Sequence, residues 1–200
     1  LIGGIGFITL VGCAGTGEVI PLQLHLASAD AKKTVKPSEP LKVVIGKLID
    51  GRKSQRGLGV RTHLWGGVSH FDVPGNKPAE TVASLLTDYL SAKGWKVLKQ
   101  GSTEQADVVL TGTLLELSVQ AKSRIGFTAM TTKTRLAIQA KNVSDDSIVR
   151  MTLNGTGSED VFWFDREDVE EVLNEVLADS FSKLEQDTTV VNRTLRLTNS

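Results

Sequence analysis

Two amphipathic helices are the clearest elements in the spacing of apolar and polar residues. The first is predicted from Pro78, which suits the first helical position, to Gly94, which suits the residue after the last turn. The second follows an N-cap at Asp165, with Asp168 as its capping-box partner and Phe164 as the outer residue of a hydrophobic staple. Its apolar stripe comprises Val169, Val172, Leu173, Val176, Leu177, Phe181 and Leu184. Both helices therefore need an apolar surface to cover.

Strands are predicted where apolar residues form short runs or alternate with polar ones. The run at 41–49 and the segment at 95–100 flank the first helix, which suggests a parallel crossover. Antiparallel strands are predicted at 106–121, 132–143 and 148–155, and a further strand at 19–27. The stretch at 60–73 fits either short strands or an irregular excursion.

These elements together predict an α+β fold. We expect a two-layer sandwich, with a mixed, mostly antiparallel sheet of about five strands and two helices on one face. The folded domain is placed at 41–187. Residues 188–200 are either a tail or an added edge strand.

The beginning of the chain predicts a membrane anchor. Residues 1–12 are apolar but shorter than the roughly twenty residues that span a bilayer, so they are interpreted as the hydrophobic region of a signal peptide without its basic segment. Leu10, Val11 and Gly12 precede Cys13 in the pattern of a bacterial lipobox. The thiol of Cys13 would accept a diacylglycerol, and the alternative is a buried free cysteine. Residues 13–40 are then the lipidated cysteine, a leader strand and a linker.

Composition narrows the classes of partner and chemistry. The chain has 200 residues, and 23 basic against 23 acidic side chains give zero net charge. That balance argues against binding nucleic acid, which usually needs a basic excess. A single cysteine excludes an intramolecular disulfide and a multi-cysteine metal site.

Several segments resemble the YajG-like family of bacterial lipoproteins. They are the lipobox, the early strand ending in Asp50-x-Arg52, the segments "GWKVL" and "ADVVLTGTLLEL", and the closing helix "VEEVLNEVLADSFSKLEQD". The resemblance implies a lipid-anchored domain in the cell envelope. By resemblance to enterobacterial sorting rules, Ala14 after the cysteine points to the periplasmic face of the outer membrane. The family itself implies no reaction.

No catalytic or cofactor site is predicted. His63, His70 and Asp72 form the best metal-like cluster, but a zinc site needs three or four converging ligands, and we expect structural or surface roles for them. No serine lies in a nucleophile elbow. We therefore expect a protein that is not an enzyme and holds no cofactor or metal.

The candidate partner-binding residues are mostly basic. Arg52 and Arg56 lie in the glycine-bearing loop "DGRKSQRGLG", which is either an anion cradle or a solvated connection. Arg135 and Lys141 belong to the polar sides of strands, where cations bind anionic groups or keep the sheet soluble. Trp163 is either a core residue or an anchor for a partner.

The sequence thus predicts an outer-membrane lipoprotein whose non-catalytic periplasmic domain binds an envelope partner. That partner is a protein, peptidoglycan or lipid, and the membrane is reached through acylated Cys13. The alternative is a lipid or glycan carrier with a pocket between sheet and helices.

Overall fold

The computed structural model describes residues 17–26 and 40–198. Its two α-helices are α1 (Pro78–Ala92) and α2 (Arg166–Gln186). The strands are β1 (Val19–Pro21), β2 (Lys42–Asp50), β3 (Gly59–Thr62), β4 (Val68–Asp72), β5 (Lys96–Leu98), β6 (Val108–Arg124), β7 (Phe127–Asn142), β8 (Ile148–Val161), β9 (Thr188–Val191) and β10 (Thr194–Leu197).

An eight-stranded sheet is built around β6. One edge of β6 pairs along its whole length with β7, which pairs with β8, and both pairings are antiparallel. The other edge is shared between two strands, because residues 108–114 pair with β2 and residues 119–122 pair with β3. Strand β5 extends the sheet from β2, while β4 and β1 extend it from β3. The sheet therefore divides into two branches along one edge of β6.

The predicted two-layer sandwich of about five strands is wrong. The sheet curls into a half-barrel, and 47% of the described residues are strand against 25% helix. One cause is the irregular register at Leu114/Glu116, where Leu115 interrupts the ladder between β6 and β7. Such bulges bend a strand and increase its twist. A second irregularity lies in the β2–β6 ladder, where the register shifts between Ile45 and Leu48. The sheet also has more strands than predicted, because 59–72 form the β3–β4 hairpin, which carries β1 on its outer edge.

Helix α1 connects the two parallel strands β2 and β5. Its predicted start at Pro78 is confirmed, and it ends one residue before the cap at Lys93, with Gly94 at a positive φ of 89°. The parallel pairing of β2 with β5 is also found, in the register Lys42 to Lys96. The helix buries Val82, Leu85, Leu86, Tyr89 and Leu90.

Helix α2 begins with the predicted capping box. The Asp165 carboxylate accepts from the Arg166 N–H at 2.6 Å, and Asp168 accepts from the Asp165 N–H at 2.8 Å. Glu170, in the first turns of α2, is buried although it is charged, and its carboxylate accepts the Gln23 N–H at 2.6 Å. The His25 N–H likewise donates to Asn174 at 3.1 Å, so the segment after β1 lies along the first turns of α2.

Two glycines of β8 allow α2 to lie close to the sheet. A Cβ atom on Gly155 would lie 2.6 Å from the Val176 carbonyl oxygen, and one on Gly157 would lie 2.5 Å from Val176 Cγ2. The inward-facing residues of β8 therefore change from large apolar side chains to glycine where α2 crosses the strand.

The last strands form a separate hairpin. Strands β9 and β10 pair only with each other among the described strands. The hairpin is attached to the main sheet by side chains, of which Asn142 at the end of β7 is fully buried.

Tyr89, the only tyrosine of the chain, gives a test of the contact between the helices. Its ring centroid lies 5.6 Å from that of Phe181, and its hydroxyl donates to Glu185 at 3.1 Å. Burial, and then the negative charge of Glu185, raise the pKa of Tyr89 well above its usual value of about 10. The stabilisation that follows is complete below about pH 10 and is lost as the pH rises through the folded-state pKa, because the unfolded chain ionises first.

We therefore expect no phenolate absorbance from the folded protein at about pH 11, where a free tyrosine is mostly ionised. The absorbance should appear only as the protein unfolds. The Glu185→Gln variant should ionise at a lower pH than the unmodified protein, because the neighbouring negative charge is gone. Ordinary titration of the folded protein near pH 10 would contradict the buried contact.

Candidate functional site

The loop after β2 is shaped by Arg52, whose side chain is buried. Its guanidinium donates from Nε and Nη2 to the two carboxylate oxygens of Asp50, at 2.9 and 3.0 Å. Its Nη1 donates to the Gly57 carbonyl at 2.9 Å. This bidentate pair closes residues 51–57 into a fixed turn. The hydrogen bond from Arg52 lowers the pKa of Asp50, so the pair is retained on moderate acidification.

This loop covers the place where β6 changes partners. The Gly51 N–H donates to the Leu114 carbonyl at 3.0 Å, and the Val119 N–H donates to the Leu58 carbonyl at 2.9 Å. Between these two bonds, residues 115–118 of β6 pair with neither β2 nor β3. The gap in the ladder leaves a pocket of about 390 Å³ beneath the loop.

The pocket brings together three of the five predicted partner-binding residues. Arg52, Arg56 and Arg135 all line it, although Arg135 is about eighty residues away along the chain. Arg56 and Arg135 are exposed, whereas Arg52 is buried. The acidic residue of the pocket, Glu116, stands opposite Arg135 in the register and accepts the Ser118 hydroxyl at 3.3 Å. We call Arg52, Lys53, Arg56 and Arg135 the basic pocket.

Lys141 and Trp163 lie away from this pocket. The ammonium of Lys141 forms an exposed ion pair with Asp146 at 2.7 Å, at the opposite end of β7 from Trp163. Trp163 follows β8 and is exposed, so it is not a core residue. The five predicted residues therefore do not form one surface.

The histidine cluster is divided between structural and exposed positions. His63 Nε2 lies 2.7 Å from the Ser69 hydroxyl, and Asp72 accepts the Val73 N–H at 2.8 Å. His70 is exposed on β4. Within residues 17–26 and 40–198, no group of three or more His, Cys, Asp or Glu side chains is placed to hold a metal ion.

A second concave region lies between α1 and the branch formed by β2 and β5. It measures about 770 Å³ and is open along the edge of the sheet. Apolar Ile45, Leu48 and Val97 line it together with charged Lys47 and Glu80. The space between the sheet and α2 is filled instead, since Leu114, Leu153 and Leu173 are fully buried there.

The predicted lipidation site, Cys13, lies outside the described residues. In the part of the chain that the structure describes, neither helix is long and apolar enough to cross a membrane. The first described residue is Gly17, whose N–H donates to the Val68 carbonyl at 2.7 Å. The described domain thus starts four residues after the cysteine.

Comparison with known proteins places the chain in a family and a fold. A family model described as "Uncharacterized lipoprotein" matches residues 49–193. No curated protein matches the chain in sequence. A crystal structure of a Xanthomonas campestris protein has a TM-score of 0.50 at 10% identity, with 84% of this chain and 92% of that chain covered. At that identity the similarity shows the fold alone.

Two further structures are more distant. A Helicobacter pylori protein described as a neuraminyllactose-binding hemagglutinin homologue has a TM-score of 0.47 at 12% identity, with 84% of this chain and 91% of that chain covered. The PelC dodecamer of Paraburkholderia phytofirmans has a TM-score of 0.40 at 15% identity, with 74% and 94% covered.

Proposed function

We propose that this chain, which belongs to the YajG-like family of uncharacterised lipoproteins, binds an envelope partner without catalysing a reaction. The family match confirms the resemblance drawn from the sequence, so the chain is a bacterial lipoprotein. In this proposal Cys13 carries the acyl chains, and the domain faces the periplasm from the outer membrane. The partner is a protein or a component of the cell wall.

The basic pocket is the observation that supports a binding role. The flanking ladders leave part of the β6 edge unpaired, and the overlying loop carries three cations to the same place as Arg135. The bidentate bond to Asp50 fixes the loop, so the backbone that carries Lys53 and Arg56 is held in place before a partner arrives. Preorganisation of this kind lowers the cost of binding.

Carboxylate groups are the chemistry that such a pocket would recognise. Arginine forks match carboxylates in geometry, and a backbone edge without a strand partner offers additional N–H and C=O groups. An acidic protein segment and the peptide stems of peptidoglycan both present carboxylates. The pocket residues Arg56 and Arg135 are the ones expected to contact the partner.

A photo-crosslinking residue in place of exposed Ser54, in living cells, tests the proposal. We expect a discrete adduct from this position and none from Thr152, which is exposed on β8 away from the pocket. The double change of Arg56→Ala and Arg135→Ala should reduce the adduct roughly tenfold, equivalent to about 1.4 kcal/mol of binding free energy. Lys133→Ala, two residues from Arg135 and outside the pocket lining, is the matched control and should leave the adduct unchanged.

The groove beside α1 favours the second candidate, a lipid or glycan carrier. Its volume is within the range of small-molecule pockets, and its lining is part apolar. The same cells distinguish the two functions. If Ser54 gives no adduct while mass spectrometry of the purified native protein shows a bound lipid or glycan, the carrier replaces the partner-binding proposal.

A further inference from the structure

Large apolar side chains are exposed at one end of the sheet. They lie in three separate segments: the turn between β3 and β4, the turn between β6 and β7, and the residues after β8. Their exposed fractions are high for residues of this kind: Trp65 89%, Ile125 86%, Trp163 81%, Phe162 71% and Leu64 41%. We call these five residues the apolar tip.

The strand register brings the three segments to the same end. Strand β3 ends opposite Lys122 of β6, close to the turn that carries Ile125. Strand β8 ends at Val161, opposite Thr128 at the start of β7. Because neighbouring strands are about 4.8 Å apart, the four strands β3, β6, β7 and β8 span roughly 14 Å. The tip is therefore one surface, although its residues come from distant parts of the sequence.

Contacts beneath the tip hold its aromatic residues outward. Phe164, the residue after Trp163, lies under the Arg61 guanidinium at 3.8 Å and 6.2 Å from the ring of Phe71. Phe162 and Trp163 meet edge to face, with their ring centroids 5.4 Å apart. The chain is thus fixed to the fold at Phe164, while the two preceding rings remain exposed.

The chain enters the fold beside this tip. The Gly17 N–H donates to the carbonyl of Val68, which immediately follows the turn containing Leu64 and Trp65. Cys13 precedes Gly17 by four residues, so their Cα atoms are at most about 14 Å apart. An acyl chain on Cys13 would therefore enter the bilayer next to the tip.

The charged residues around the tip are of both signs, so charge alone does not explain a contact between the tip and a bilayer. Lys122 and Arg124 are exposed at the end of β6, but acidic Glu18 and Asp160 are exposed at the same end. The apolar side chains are the distinctive feature. Tryptophan is characteristic of the membrane interface, where its ring sits at the depth of the headgroups.

We propose that the apolar tip inserts into the same bilayer that holds acylated Cys13, so that the domain stands on the membrane with the far end of its sheet directed away. The inference rests on the proposed anchoring through Cys13. It adds a second, protein-borne membrane contact and a fixed orientation. The basic pocket then faces sideways, partway up the sheet.

The three tryptophans provide the test with an internal control. Trp65 and Trp163 belong to the tip, whereas Trp95 precedes β5, which pairs with the beginning of β2 at the opposite end of the sheet. Variants that keep one tryptophan each, with phenylalanine at the other two positions, are purified as the acylated full chain. They are reconstituted into phosphatidylethanolamine and phosphatidylglycerol vesicles whose acyl chains carry bromine.

We expect brominated lipid to quench the emission of Trp65 and Trp163 roughly twofold, and that of Trp95 hardly at all, since interfacial side chains reach the boundary of the acyl region. Quenching should persist in vesicles of phosphatidylcholine alone. The Trp65→Asp and Trp163→Asp double variant should keep its circular dichroism, because both residues are exposed, but become accessible to protease at the β3–β4 turn on vesicles.

The outcomes separate this inference from the anchoring it rests on. If the acylated chain floats with the vesicles but its tip tryptophans are unquenched, the insertion is wrong and the anchor stands. If the chain does not float at all, the anchoring is wrong. If Trp163 becomes shielded only when a protein partner is added, the tip is a protein-binding surface and the membrane contact is refuted.

Discussion

Replacing Gly59 with alanine should detach the β3–β4 hairpin from β6 and lower the free energy of unfolding by about 4 kcal/mol. Gly59 has a φ of 155°, and a Cβ atom there would lie 1.7 Å from the Val119 carbonyl oxygen. The overlap involves backbone, so no rotation of a side chain relieves it. The β3–β6 pairing begins at this residue, and the chain must shift to accept the methyl group.

Gly66→Ala is the matched control for this change. Gly66 lies in the turn of the same hairpin at a φ of 88°, with no atom within 4 Å of a Cβ placed on it. The alanine substitution at Gly66 should lower the free energy of unfolding only by the strain of a positive φ, about 1 to 2 kcal/mol. Urea unfolding of both variants measures the difference. Equal destabilisation would mean that the close approach to Val119 is not what requires glycine at residue 59.

The regular elements could be predicted from the sequence because their signals are local. The start of α2 follows from Asp165 and Asp168, which satisfy its first N–H groups within four residues. The long strands β6 and β7 show alternation on at least part of their length, and their antiparallel pairing is found. Propensity and spacing are sufficient where the partners of a residue lie a few positions away.

The curl of the sheet could not be predicted, since it depends on contacts between distant segments. Leu115 is one more apolar residue in an apolar run, and nothing nearby marks it as the position of a bulge. Gly155 and Gly157 lie on the inward face of β8 but have no side chains, because α2 occupies the space that the side chains would fill. A pattern of apolar residues records which side faces the core but not how closely the next layer approaches.

The candidate sites divide in the same way. The loop sequence itself indicates that Arg56 could bind an anion. That Arg135 lines the same pocket depends on the division of the β6 edge between β2 and β3. The Arg52 guanidinium is hydrogen-bonded within the loop itself, to the Gly57 carbonyl. The apolar tip also has a signal in the sequence. Trp65 and Ile125 both lie next to glycine in turns, where a core residue is not expected.

Asn142→Ala should release the β9–β10 hairpin from the main sheet. The Asn142 amide donates to the Leu195 carbonyl at 3.0 Å and accepts the Leu195 N–H at 2.7 Å, and both residues are fully buried. Alanine leaves the two backbone groups of Leu195 without partners, at a cost of about 1 to 3 kcal/mol for each. Opening the hairpin to water relieves that cost, so we expect local release and not global unfolding.

Hydrogen exchange of the amides in β9 and β10 measures the release. We expect their protection to fall at least thirtyfold, which corresponds to about 2 kcal/mol. Asn142→Asp loses the donor and places a carboxylate against the Leu195 carbonyl in a buried site, so at neutral pH it should release the hairpin at least as much as alanine does. Arg196→Ala removes a partly exposed ion pair with Asp145 and a hydrogen bond to the Ser147 hydroxyl, and it should cost about 1 kcal/mol, less than Asn142→Ala. Unchanged protection in Asn142→Ala would show that burial of Leu195, and not the amide, holds the hairpin. Local release of this kind, with unchanged protection in β6 and β7, would also show that the β9–β10 hairpin can open while the main sheet stays folded.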